Sequence, residues 1–180
     1  MHRYSQMNSI FLTRLFRLFI LLLFQVLVFN NIHLLGYITP LVIGYMVVCM
    51  HRNASRIAVL VWGFVIGLLF DTFSNTAGMG AASCTLIAMI QPVLLERLAP
   101  RDSAENLTPS FTSLGFWNYV FYVFLLMAAL HGCFYLLDAF TLTDWPLTLF
   151  SISGGSVFTT IIIIFIELLI RTRKETTRHL

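Results

Sequence analysis

The sequence predicts an all-α integral membrane protein, a single domain over residues 1–180 built as a bundle of six transmembrane helices with both termini cytoplasmic. Composition, the succession of apolar segments and the placement of basic residues each point there. Apolar residues make up 58% of the chain and charged residues 11%, with a mean hydropathy of +0.86; soluble domains carry about 25% charged residues. Apolar segments are readable over residues 10–29, 34–50, 55–73, 77–95, 116–137 and 147–170. Most approach the roughly 17–25 residues that a spanning helix needs. The first and third have short apolar cores and reach that length only with flanking polar residues, which implies snorkelling arginines, tilt or local bilayer thinning.

Helix is required even where local propensity argues for a strand, as in the β-branched run Val157–Ile164. Hydrocarbon offers no water to an open strand edge, and the segments lack the period-two alternation of a membrane barrel. The eleven Lys and Arg residues then set the topology. Arg3, Arg14 and Arg17 precede or enter segment one, Arg52 and Arg56 join segments two and three, and Arg97 and Arg101 follow segment four. Arg171, Arg173, Lys174 and Arg178 follow segment six, so all eleven fall on one face. The opposite loops carry only Asp71, Asp138 and Asp144 as charges, and the positive-inside rule makes the basic face cytoplasmic. Residues 2–29 resemble a signal sequence, but Val28-Phe29-Asn30-Asn31 offers no small-x-small cleavage site, so an uncleaved first span is expected.

The net charge of +3 belongs to the cytoplasmic loops and tail and suits anionic lipid, with no sign of nucleic-acid binding. Cys49, Cys84 and Cys133 sit singly in separate segments, which argues against metal clusters and redox pairs. No His-Glu-x-x-His, Gly-x-Ser-x-Gly or clustered acidic motif is present, so neither an enzyme nor a cofactor is expected. The polar stretch Pro100–Ser113 is too short for a core of its own and reads as a cytoplasmic connection.

Asp71 is the informative polar residue. Ten Val, Ile, Leu and Phe residues in Ile57–Phe70 favour insertion by roughly 3 to 6 kcal/mol, against a cost of about 2.5 to 3.5 for a central Asp. From Arg56 the helix rises only about 22 Å to Asp71, which places the acid in the outer third of the bilayer. Two readings stay open: a carboxylate that caps the turn, or one with a functional role. Asn75 would support the turn, Gly78 and Gly80 permit tight backbone approach or positive φ, and Gly63 and Gly67 at Gly-x-x-x-Gly spacing permit close helix packing, internal or with a partner.

The pattern Gly63-Phe64…Gly67-Leu68-Leu69…Asp71, followed by Ser74-Asn75…Gly78…Gly80-Ala81, resembles the central motif of the rod shape-determining membrane protein MreD family. Residues Gln25–Asn31 leading to Gly36-Tyr37-Ile38-Thr39-Pro40 resemble the end of that family's first helix and the proline opening its second. Many members have Pro-Asp where this chain has Pro40-Leu41, so no role of that carboxylate carries over. The resemblance implies a non-catalytic inner-membrane scaffold of the bacterial cell-wall elongation complex. Its partners would be an MreC-like single-span protein, an MreB-like filament, and the wall glycan polymerase and transpeptidase. Family members are also similar in expected architecture to the substrate-binding subunits of vitamin importers. That supplies a rival reading, a small-molecule binder whose outer cleft would involve His131 and Asp138, with Asp71, Asn75 and Trp145 nearby.

Overall fold

A computed structural model describes residues 16, 18–29, 39–100, 107–139 and 145–176, with side chains through 170. Every regular element among them is helical. α1 spans Leu18–Leu27, and a 3-10 turn at Val42–Gly44 runs into α2, Tyr45–Val48. The remaining helices are α3 Arg56–Ser74, α4 Met79–Leu98, α5 Phe111–Leu114, α6 Phe116–Asp138 and α7 Trp145–Thr176. Four of these, α3, α4, α6 and α7 through Ile170, are long and apolar enough to cross a membrane. Their bounds lie within a few residues of the expected segments. α3 packs on α4, α4 on α6, and α6 on α7.

Unlike a soluble protein, the bundle is apolar on its outside as well as in its core. On α3 the residues Val59, Gly63, Ile66, Gly67, Phe70 and Asp71 face inward at helical spacing, while Ile57, Val61, Phe64, Leu68 and Phe73 are exposed. The buried set includes Gln25, Asp71, Gln91, His131, Thr159 and Thr160. Apolar side chains outside and hydrogen-bonded polar ones inside are what a lipid solvent selects. This is a multi-pass membrane protein.

The first expected span is described only at residue 16 and over 18–29, and the second takes another form among the described residues. α1 is a ten-residue apolar helix, and of segment 34–50 only Val42–Val48 is helical; residues 30–38 lie outside the described residues. A helix this short cannot satisfy its own ends, which leave backbone donors and acceptors open. Side chains from four other places complete it. At its start, Gln25 Oε1 accepts from the N–H groups of Val42 at 2.8 Å and Ile43 at 3.3 Å, and Gln25 Nε2 donates to the Pro40 carbonyl at 2.8 Å. Thr159 Oγ1 accepts from the Leu41 N–H at 3.3 Å. At its end, Tyr122 donates its hydroxyl to the Val48 carbonyl at 3.1 Å, and Gln91 Nε2 donates to the Met50 carbonyl at 3.2 Å and to the Tyr122 hydroxyl at 3.0 Å. Leu41, Val42, Ile43, Tyr45, Val47 and Val48 are all buried as a result.

Two tyrosines beside α2 separate hydrogen bonding from packing. Tyr122 bridges Gln91 and Val48, whereas the equally buried Tyr119 hydroxyl meets no partner among the described residues. Tyr122→Phe is therefore expected to cost about 2 kcal/mol, because a buried acceptor and a donor lose their match, while Tyr119→Phe should be neutral or stabilising. Thermal unfolding of the two variants in the same lipid discs reads this difference, and equal losses would refute it.

The connection before α5 also folds inward. Ser110 and Ser113 form a capping box, the Arg52 N–H donates to the Leu107 carbonyl at 3.0 Å, and Leu107, Phe111 and Leu114 are buried. The expected polar connection thus seals this end of the bundle, over its described part, with apolar side chains.

Candidate functional site

The motif residues meet in the α3–α4 hairpin. α3 ends on Asn75, which takes a left-handed conformation at φ 55 and donates its N–H to the Asp71 carbonyl; asparagine is among the few side chains that accept this conformation readily. The chain then enters α4 through Gly78 at φ 81. Nothing crowds that glycine, so its requirement is conformational.

Glycine has no side-chain oxygen with which to cap α4. Asp71 supplies the cap from the preceding helix instead. Its Oδ1 accepts from the Gly80 N–H at 2.8 Å and from the Thr76 hydroxyl at 2.6 Å, and its Oδ2 accepts from the Ala81 N–H at 2.8 Å. A carboxylate facing the N–H groups at a helix start is favoured both by direct hydrogen bonds and by the helix dipole. Burial of Asp71 is tolerable because both of its oxygens are engaged.

The glycines let the two helices close on that carboxylate. A Cβ on Gly67 would lie 2.5 Å from Ala81 Cα and would also strike the Gly80 carbonyl; one on Gly63 would lie 2.6 Å from Ala88 Cβ and 2.9 Å from the Cys84 carbonyl. A Cβ on Gly80 would meet Asp71 Oδ1 at 2.7 Å. The Gly-x-x-x-Gly pair therefore packs inside the bundle, against the small residues of α4. Gly63→Ala is expected to cost about 1–3 kcal/mol by forcing the helices apart. The Ala88→Gly change should recover part of that loss in the double variant, measured by denaturant titration in mixed micelles, because the nearest obstruction is the Ala88 methyl.

The turn borders a cleft of about 530 Å³ between the hairpin, the end of α6 and the start of α7. Phe70, Thr76, Phe134, Tyr135, Asp138 and Thr148 are among its walls. Phe134 stands edge-on to both Phe70 and Tyr135, with centroid distances of 6.2 and 5.9 Å. Asp138 is exposed at the last turn of α6.

His131 sits two turns below Asp138 and does not line the cleft. It is fully buried, its ring 6.2 Å from that of Tyr135. Its Nδ1 lies 2.9 Å from the Met127 carbonyl and its Nε2 3.3 Å from Thr159 Oγ1. A carbonyl can only accept, so Nδ1 carries the hydrogen; Nε2 then accepts from Thr159, whose oxygen accepts the Leu41 N–H. The histidine is the inner end of the relay that fixes the entry to α2, and Gly155 leaves room for its ring. Pro40 belongs to the same region, its carbonyl held by Gln25. Trp145 is exposed at the start of α7.

Sequence reasoning singled out Asp71 and the glycines, named Gln25 only within a stretch that resembles the family's first helix, and missed Gln91, Tyr122 and Thr159. Glutamines inside apolar segments were the available signal, since polar groups at membrane depth need partners. Among the described residues, no group of three His, Cys, Asp or Glu is placed to hold a metal ion. No family model, curated protein or solved structure matches this chain.

Proposed function

We propose that the chain is a non-catalytic, six-span scaffold of the bacterial cell-wall elongation complex. It would lie in the inner membrane with both termini cytoplasmic. Partners would be an MreC-like single-span protein, an MreB-like filament and the wall synthases. The observation that carries this reading is the α3–α4 hairpin. The residues that resemble the MreD motif are committed to one another: Asp71 caps α4, Gly63 and Gly67 seat α4 on α3, and Asn75 and Gly78 turn the chain. A motif whose buried carboxylate and glycines build a closely packed hairpin suits a protein that acts through its shape. The apolar outer face of α3, with Phe64, Leu68 and Phe73 exposed, is then available to lipid or to a partner helix.

Mild-detergent purification of the tagged protein from its native membrane, with mass spectrometry of co-purifying proteins, tests this. Recovery of a single-span periplasmic protein with wall synthases is expected, and recovery of transport ATPases in their place would overturn the assignment. A second reading, the small-molecule-binding subunit of a vitamin-type importer, is favoured by one observation, the cleft beside Asp138.

A further inference from the structure

The cleft has the size of a ligand site and an unbalanced charge. Pockets for small molecules hold about 300–1,000 Å³ and combine mostly apolar walls with a few polar groups; this one, at about 530 Å³, sets Phe70 and Phe134 beside Tyr135, Thr76, Thr148 and Asp138.

Four helix ends meet around it. The starts of α4 and α7 contribute partial positive charge and the ends of α3 and α6 partial negative charge, so these contributions cancel in pairs. Among the described residues, two carboxylates remain. Asp71 is buried and engaged with the α4 start, whereas Asp138 is exposed at the negative end of α6, where the helix dipole opposes a carboxylate. Among the described residues, no Lys or Arg lines the cleft to answer it. In the sequence, none of the eleven falls between residues 57 and 96 or between residues 102 and 170, the stretches that supply most of the cleft lining. The described arginines Arg52, Arg56 and Arg97 sit at the opposite ends of α3 and α4.

We infer that this cleft is a binding site for a small organic cation, a protonated amine carrying an apolar or aromatic body. Asp138 would take the ammonium group in a charge-assisted hydrogen bond. The rings of Phe134 and Tyr135, which border the cleft, would add cation–π attraction, and the hydroxyls of Thr76 and Thr148 suit polar substituents. An organic cation fits better than a metal ion, because one carboxylate among the hydroxyls and rings of the described lining falls short of the oxygen or nitrogen ligand count that metals require. The inference stands apart from the scaffold role and rests on the cleft being a binding site, as in the second reading above.

The test uses three probes of one shape and different charge: tyramine (cation), tyrosol (neutral) and 4-hydroxyphenylacetate (anion). Each is titrated by ligand-observed NMR onto the full chain in phosphatidylcholine nanodiscs, with empty nanodiscs as the blank. Saturable tyramine binding is expected, about tenfold tighter than tyrosol, with the anion weakest. Asp138→Asn should reduce tyramine affinity about tenfold and leave tyrosol within about twofold. Glu96→Gln, an exposed acid at the other end of α4, should change neither. Equal binding of tyramine and tyrosol, or tyramine binding unaffected by Asp138→Asn, would overturn the inference while leaving a neutral-ligand cleft. Absence of saturable binding by any of the three would overturn the cleft as a site altogether.

Discussion

Gln25→Met is expected to lower the unfolding free energy by about 4 kcal/mol, the largest effect of any single substitution argued for this bundle. Methionine keeps the length and approximate volume of glutamine, so the packing of α1 on the core is retained and only hydrogen bonds are removed. Those bonds are three: two accepted from Val42 and Ile43 and one donated to Pro40. Each buried backbone group left without a partner costs about 1–3 kcal/mol. Gln25 is fully buried, which leaves no direct route for water to replace it. The loss should be read by denaturant titration in mixed micelles, with helicity followed by circular dichroism. Unchanged stability would mean that water or another group completes the start of the 42–48 helix, and the account of that segment would fail.

The same glutamine explains where the sequence was legible and where it was not. α3, α4, α6 and α7 were readable because a lipid solvent demands long continuous apolar helices, a requirement that composition records directly. The segment through Val42–Val48 is just as apolar, so hydropathy gave it the same reading. Its helix is short because its end groups are met by side chains distant in the chain: Gln25, Thr159, Tyr122 and Gln91. Hydrophobic pattern carries no information about such partners. Pro40, which has no N–H to contribute to a continuing helix, was the one local sign of a break. Asp71 is the opposite case. All of its partners lie within ten residues, so a capping role could be written down from the acid, the turn and the glycines, although the sequence left it level with a functional role. His131 shows the limit again. A histidine near Asp138 on one helix face suggested a shared pocket, but its ring is turned to Thr159 and Met127, and only the acid borders the cleft.

Asp71→Ala is expected to destabilise the protein by about 3 kcal/mol. It removes two charge-assisted bonds to the start of α4 and the anchor of the Thr76 hydroxyl, and it takes the only carboxylate from a helix start that favours negative charge. Asp71→Asn should recover little. Both oxygens of the native side chain accept N–H groups, and the amide would present its own N–H₂ to one of those donors. Thr76→Val, which removes one neutral partner and leaves both backbone bonds, should cost about 1 kcal/mol. This ordering, with Ala and Asn alike and Val milder, distinguishes a cap from a charge whose value lies in binding. A residue needed for binding would leave the unfolding of the isolated protein unaltered when replaced and would show its loss only with the partner or ligand present. If Asp71→Ala unfolds with the native midpoint in lipid discs, the hairpin does not depend on the acid, and its function has to be sought in what approaches it from outside.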